Sequence, residues 1–422
     1  MSLWNWGVRA SAIALGLTLL AANLLAGCAP LSVPTPTAAP TATPVPTYNG
    51  PLAPEPIAEP HFESLTYGIQ AFLWWSPDAR TFDLEMIRLM NFTHVKQIFA
   101  WGDIQPQPDV WDWSRADEVV AEVLYRGRQL VARVDHPPEW AIVDPATRPD
   151  GIPFDVEAYA AFCGALATRY KGQIAGYQIW NEPNLQREWA GYTPDAAGYV
   201  RLLGACYTAI KAADPAAIVI SAGLAPTGTE PPTAVPDERY LQQMFDAGLS
   251  GVYDVLGLHA PGYNNPPEMS PDEAEAAGQR RWMVFRHVED MRRIQIANGD
   301  AERQVALLEF GWHINPGIHP DYAWFAVDEA TQAAYLVGAY RYAAEHWRPW
   351  VGLMSTIYIA APEWTEADEE YWWAVTTPGF GEDYGVRQAY IDLANMEKIM
   401  GDTIIPARDP ESVQHVPLSP RH

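Results

Sequence analysis

From Tyr67 onward, short runs of consecutive apolar residues alternate with longer stretches in which apolar positions return every three or four residues. The runs are YGIQAFLWW (67–75), THVKQIFAW (93–101), QLVARVDH (129–136), GYQIWNEP (176–183), AIVISAGLA (217–225), YDVLGLHA (253–260), VALLEFGW (305–312) and GLMSTIYIA (352–360). Their brevity and their β-branched and aromatic content predict strands covered on both faces. The stretches between them predict amphipathic helices. Asp155 is placed to cap VEAYAAFCGALATRYKG, which Gly172 closes, and Thr193 with Pro194 is placed to open DAAGYVRLLGACYTAIKAAD. A last helix is expected over VRQAYIDLANMEKIM. Eight such units predict an α/β fold, a closed parallel (β/α)8 barrel. The competing arrangement is an open doubly wound sheet, but no glycine-rich phosphate loop follows the first strand.

The ends of the chain read differently. Residues 1–27 hold an apolar stretch from Ala10 to Leu25, preceded by Arg9 and ending in small residues, which predicts an export signal rather than a spanning helix. LAGC at 25–28 resembles the lipobox of bacterial lipoproteins, which implies lipidation of Cys28 as the mature N-terminus. An ordinary signal peptide and an uncleaved anchor are the alternatives. All three place the remainder outside the cytoplasm, as a cell-surface or periplasmic protein. Residues 28–60, dominated by Pro, Thr and Ala, predict an extended tether that cannot bury a core. The barrel is expected over 61–402, and 403–422 is left as a tail.

Composition narrows the partners. The 422 residues are 48% hydrophobic, enough for one large core, and 52 acidic against 27 basic side chains give a formal charge of −25. Such a surface repels polyanions, which argues against nucleic acid and against an anionic membrane surface. A lipid anchor is the one membrane contact expected, and the chain is read as a monomer. The 18 Trp and 20 Tyr offer flat amphipathic rings suited to the apolar faces of sugars. Cys163 and Cys206 fall on two predicted helices with no metal-knuckle spacing, so buried free thiols are expected.

Candidate chemistry collects at the strand ends: Trp74, Trp75, Trp101, Asp135, His136, Asn181, Glu182, His259, Glu309 and Trp312. A barrel gathers its active site there. Carboxylates closing the fourth and seventh strands would face each other across the mouth, as glycosidic cleavage requires: one protonates the leaving oxygen while the other attacks the sugar carbon.

IWNEPN (179–184) and LLEFGW (307–312), within roughly residues 65 to 400, resemble the clan A glycoside hydrolases, retaining (β/α)8 enzymes, with the family 39 type nearest in look. The resemblance implies Glu182 as acid/base and Glu309 as nucleophile. It further implies that Asn181 binds the sugar 2-hydroxyl, that His259 and Tyr263 in HAPGY organise the nucleophile side, and that His136 lines the sugar subsite. Trp101, Lys96, Trp312 and Trp364 complete the expected substrate-binding set. Lys96 stands where the clan commonly has Arg, and Gln105 where Glu is frequent. No cofactor and no metal is expected. Three rival readings compete with this one: a metal-dependent hydrolase using His313 and His319, a sugar-binding surface lipoprotein without turnover, and a transglycosidase. The segment from Glu363 to Trp373 is expected to border the cleft. The negative charge of Glu309 is expected to raise the pKa of Glu182 and keep it protonated.

Overall fold

The computed structural model describes residues 44–315, 317, 322–379 and 384–408. Eight parallel strands form one sheet: β1 (Thr66–Gln70), β2 (His94–Ala100), β3 (Gln129–Asp135), β4 (Gly176–Ile179), β5 (Ile218–Ile220), β6 (Leu256–Pro261), β7 (Val305–Gly311) and β8 (Val351–Thr356). Each overlaps one of the expected runs. The order β5-β4-β3-β2-β1-β8-β7-β6 joins first strand to last. The remaining seam is closed by a parallel bridge between Ile220 and Val255, and Ser221 N–H donates to the Val255 carbonyl at 3.2 Å. The fold is a (β/α)8 barrel.

The helices are α1 (Pro77–Leu89), α2 (Trp101–Ile104), α3 (Ser114–Tyr125), α4 (Val156–Arg169), α5 (Ala196–Ala213), α6 (Asp237–Asp246), α7 (Pro271–Ala276), α8 (Val288–Ala297), α9 (Glu329–His346), α10 (Glu369–Trp373) and α11 (Gln388–Asn395). Asp155 caps α4 as expected, accepting from Ala158 N–H at 3.0 Å. For α5 the cap moves two residues on. Pro194 holds Thr193 extended, and the Asp195 carboxylate accepts from Ala197 N–H at 3.1 Å instead. The last helix is shorter than expected. It stops at Asn395 because the buried Lys398 ammonium donates to the carbonyls of Leu393, Ala394 and Met396, which satisfies the helix end from beyond it.

Two small antiparallel strand pairs follow β8: β9 (Thr376–Thr377) with β10 (Gly385–Val386), then β11 (Lys398–Met400) with β12 (Thr403–Ile405). The expected tail therefore begins later, since Arg408 still bonds the Leu89 and Ala394 carbonyls. The expected tether is likewise docked along its described part. Val45, Leu52 and Ile57 pack on the core, and Arg292 donates to the Leu52 carbonyl at 3.0 Å. Cys28 and the export signal lie outside the described residues. Among the described residues no helix is long and apolar enough to cross a membrane.

Two apolar layers result. The larger lies between sheet and helices, while Phe62, Val131, Ile220, Val255, Ala306, Leu308 and Leu353 form a buried plug inside the barrel. Above that plug the interior turns polar, because Arg133 and Asp135 continue the face of β3 that Val131 begins.

Cys163 on α4 and Cys206 on α5 form a disulfide, their Cα atoms 5.5 Å apart. This corrects the expectation of free thiols: parallel packing of two neighbouring barrel helices brings the residues together across a sequence separation of 43. Closing a loop of that length stabilises by roughly 2–4 kcal/mol. Replacing both by serine should lower the free energy of unfolding by about that amount, read from urea unfolding as a lower midpoint with a steeper slope, because the unfolded chain is no longer cross-linked.

Candidate active site

The strand ends turn on residues held in uncommon backbone conformations. His136, Trp180, Glu182 and Tyr263 have φ of 54°, 70°, 40° and 52°, a region seldom occupied by non-glycine residues. Trp180 shows what the turn achieves. Its indole leaves the cleft to pack on Phe154 at 4.4 Å and to donate to the Glu188 carbonyl at 3.0 Å, and Glu182 follows at the rim. The Glu182 N–H is fixed by the Gly223 carbonyl at 3.0 Å. Asn184, fully buried, ties the same turn to the loop after β5: its amide donates to the Ala225 and Val235 carbonyls and accepts from Ala225 N–H.

Glu309 reaches the site through a break in alternation. Ala306 and Leu308 point into the barrel and Leu307 into the outer core, so regular pleating would turn Glu309 outward. The pairing of β7 with β6 slips between Leu258 and His259, leaving Leu308 unmatched, and His259 then pairs with Glu309. A bulge of this kind re-aims the next side chain, and Glu309 faces the interior.

The two carboxylates meet around one imidazole. His259 Nδ1 lies 3.0 Å from Glu182 Oε1 and 3.8 Å from Glu309 Oε2, and one donor atom from each of the three residues lies within 4.8 Å of the others. Gly223 makes room for this ring, because a Cβ there would run into it. Beneath Glu309, Lys96 donates to Oε1 at 2.8 Å and to the Leu308 carbonyl at 3.0 Å, with only 1% of its surface exposed. Arg133 Nη1 stands 3.5 Å from the same oxygen, and its Nε donates to Asp135. Asp135 in turn holds His136 Nδ1 at 2.6 Å.

These contacts set the charge states. Burial alone would raise the Glu309 carboxyl, but Lys96, His259 and Arg133 outweigh it and hold it down to about 2. Burial lowers Lys96 to about 8 against the pull of Glu309. Asp135 sits well below the usual carboxylate range, since Arg133 and His136 overcome its burial, and it raises His136. Glu182 departs from the expectation. Burial and Glu309 push its pKa up, yet the hydrogen bond from His259 and the charges of His259 and Arg187 prevail and lower it. Arg187 Nη2 lies 3.0 Å from Glu182 Oε2 and is 72% exposed.

Several expected substrate contacts fall elsewhere. Trp101 is fully buried, donating to Gln105 and stacked on Phe162 at 5.6 Å. Trp312 is also fully buried, and its indole donates to the Asn265 carbonyl at 2.8 Å. Both are core residues because α2 and the close approach of Gly262 turn their rings away from the mouth. The Tyr263 hydroxyl donates to the Pro226 carbonyl at 3.1 Å rather than to Glu309. Asn181 is buried, its carbonyl oxygen accepting from Gln178 Nε2 at 3.4 Å. His136 is exposed beside Asp135. Trp364 is half-buried, at 4.7 Å from Phe72 and 5.4 Å from Tyr358. Of its neighbours, Trp372 is buried and donates to the Glu366 carbonyl. His313 is buried among the rings of Tyr322, Phe325 and Trp373, and His319 lies outside the described residues.

Arg133, Arg187, Asn184 and Tyr358 belong to the site and were not read from the sequence. Arg133 carried a signal, a cation at an inward position of an otherwise apolar strand. Tyr358 lies close enough for Glu309 and Glu182 to add to the burial that raises its hydroxyl pKa. Two large aromatic rings stay exposed after barrel strands: Trp75 after β1, beside Phe72, and Trp324 after β7, stacked on Tyr263 at 5.7 Å. The Glu182–His259–Glu309 triangle could span a metal ion, but the immobile ammonium of Lys96 on Glu309 opposes a second cation there.

No family model matches the chain, and no curated protein does. Solved structures do. A family 39 glycoside hydrolase from Bacteroides cellulosilyticus aligns over 81% of this chain and 64% of its own, with TM-score 0.54 and 18% identity. A family 39 enzyme from Xanthomonas axonopodis aligns over 79% and 66%, with TM-score 0.55 and 14% identity. A family 10 endoxylanase from a sugarcane soil metagenome aligns over 79% and 97%, with TM-score 0.51 and 16% identity. The chain spans just under two thirds of the two family 39 enzymes. At these identities the likeness is one of fold: the barrel is of the kind that glycoside hydrolases use.

The pairing of Glu309 predicts an acid limb of stability. Its carboxyl takes up a proton near 4.5 when unfolded and near 2 when folded, so its contribution is complete above about pH 4.5 and is lost as the pH falls toward 2. Lys96→Met should raise the folded value and flatten that limb. Carbon NMR titration of Glu309 and urea unfolding between pH 2 and 6, the range that brackets both values, check this.

Proposed function

We propose that the chain is a retaining O-glycoside hydrolase acting on a β-linked poly- or oligosaccharide. One observation carries the reading: carboxylate oxygens of Glu182 and Glu309 lie within 4.8 Å of each other across His259. This fits the carboxyl separation of about 5–5.5 Å used in retention, and leaves no room for the water that an inverting pair admits at about 6.5–9.5 Å.

Glu309, ionised throughout the neutral range, attacks the anomeric carbon as the glycosidic bond breaks. Glu182 gives its proton to the departing oxygen. Glu182 is held ionised by His259 and Arg187, and Arg187, on the solvent side, is the partner a bound sugar can displace. Loss of that cation raises the proton affinity of Glu182 as substrate enters. Once the glycosyl–enzyme forms, the charge of Glu309 is consumed, the affinity falls again, and Glu182 takes a proton from the incoming water. Asn181, with its oxygen turned to Gln178, presents its amide N–H to the sugar 2-hydroxyl, where a hydrogen bond strengthens in the oxocarbenium-like state. Trp75 and Trp324, exposed after β1 and β7, supply stacking surfaces for sugar rings.

The same reading takes the protein to be exported and held at the cell surface through Cys28. LAGC at 25–28 supports it. Cys28→Ser should release the protein from the membrane fraction; a processed variant that stays bound would point to another anchor.

Assays on aryl β-glycosides and β-linked polysaccharides test the chemistry. Glu309→Ala should abolish turnover, and Glu182→Ala should slow poor leaving groups by about 10²–10⁴-fold while sparing activated ones. NMR should find the retained anomer as first product. An inverted first anomer contradicts the mechanism, and binding without turnover in the unaltered protein contradicts the enzyme.

A further inference from the structure

Glu182 and Glu188 stand at the two ends of one hydrogen-bonded frame, with the Arg187 guanidinium between them. Leu185 N–H donates to the Glu182 carbonyl at 2.9 Å and Glu188 N–H to the Leu185 carbonyl at 3.1 Å, so the main chain steps from one acidic residue to the other without a free joint. The Glu188 carbonyl accepts from the Trp180 indole at 3.0 Å, which ties the frame to the turn that aims Glu182. Gln186 N–H donates to the Thr233 carbonyl at 2.9 Å, and Trp189, buried against Phe154, fixes the far end. Arg187 is the movable member. Its side chain is exposed, with Nη2 3.0 Å from Glu182 Oε2 and Nε 3.5 Å from Glu188 Oε1.

We propose that Glu188 is a positioning residue for Glu182: it keeps hold of Arg187, so that an arriving sugar can turn the guanidinium off the proton-donating carboxylate without driving it out of the site. The role rests on Glu182 being the acid/base of a glycosidase. As a contribution to stability an exposed pair of this kind is worth little. Its geometry is what matters. Nε and Nη2 are parallel donors on one side of the guanidinium, a pair suited to gripping both oxygens of a single carboxylate. Here that fork is split between two carboxylates. A small swing of the exposed stem gives both donors to Glu188 and releases Glu182. Without Glu188 the same movement would strand the cation, and the sugar would compete against the whole of its pairing with Glu182.

The charges around Glu188 are those of the acid/base itself. Burial raises its carboxyl, Glu182 and Asp135 add to that rise, and Arg133 and Arg187 oppose it. Glu182 faces His259 from β6, Glu309 from β7 and Arg187 from its own loop. The hydroxyls of Tyr263 and Tyr358 also feel its charge. Arg187 is drawn by one further acid, Glu370 on α10 in the segment that follows β8. An ionised Glu188 therefore acts on Glu182 twice, through space and by taking a share of Arg187, and both effects favour the proton.

Glu188→Gln keeps the side-chain shape and the main-chain carbonyl that Trp180 uses, so it removes charge alone. Carbon NMR titration of the Glu182 carboxyl, assigned by its loss in Glu182→Gln, should show a proton affinity at least about twofold lower in Glu188→Gln, a fall of about 0.3 pH unit. Arg187→Met should raise that affinity, and in its background Glu188→Gln should keep less than about half of its effect, because the shared cation is gone. On an aryl β-glycoside with a poor leaving group, the alkaline limb of kcat/KM follows protonated Glu182 and should move to lower pH in Glu188→Gln by the same amount. An affinity unchanged or higher in Glu188→Gln, an undiminished effect without Arg187, or an unmoved limb overturns the proposal. No turnover by the unaltered chain contradicts the glycosidase and this role with it, whereas the carbon titration reads the sharing of Arg187 by itself.

Discussion

The ion pair between Lys96 and Glu309 is the constraint on which the upper half of the barrel depends. A closed eight-stranded barrel is filled with side chains, and here the layer nearest the open end is filled with charge. Lys96 and Arg133 face Glu309 and Asp135, two cations for two anions, in a space that water barely enters. Each charge is tolerable only because the others are present. Removing one partner from such a buried set costs about 3–5 kcal/mol, since its counterpart is left unpaired. The same arrangement keeps Glu309 ionised, so what stabilises the fold also fixes the charge state of the candidate site.

The backbone serves that layer. β7 cannot deliver Leu308 to the plug and Glu309 to the cleft by regular pleating, and the slipped register with β6 resolves the conflict. On the opposite side the positive φ of Trp180 and Glu182 sends one side chain into the outer core and the next to the rim. Both devices sit one or two residues from the carboxylate they aim. Asn184 then locks the Glu182 turn to its neighbour, so the rim is held by side-chain amides where the ladder has ended.

Much of this was legible in the chain. Eight apolar runs gave eight strands, and carboxylates at two run ends came together as a barrel predicts. The strand-end aromatics divided, because spacing says where a ring begins and not which way it turns. Trp101 leads a short helix and Trp312 is pressed by Gly262, so both face the core, whereas Trp75 and Trp364 stay at the mouth. Lys96 in place of Arg proved to be the direct partner of Glu309, with Arg133 from the next strand supplying the planar fork. The lowered pKa of Glu182 was not legible, because it comes first from the hydrogen bond and charge of His259, which reaches across from β6, and then from Arg187 on the following loop.

The bond between Cys163 and Cys206 has a bearing on how the molecule matures. The two thiols belong to helices that flank β4, the strand that presents Glu182, and they meet only once those helices are packed on the sheet. Such a bond forms and persists in oxidising compartments and is rare where glutathione and thioredoxin keep thiols reduced. Biogenesis of the form described requires an electron acceptor as well as a ribosome, and synthesis in a reducing cytosol would yield the same sheet without its covalent brace.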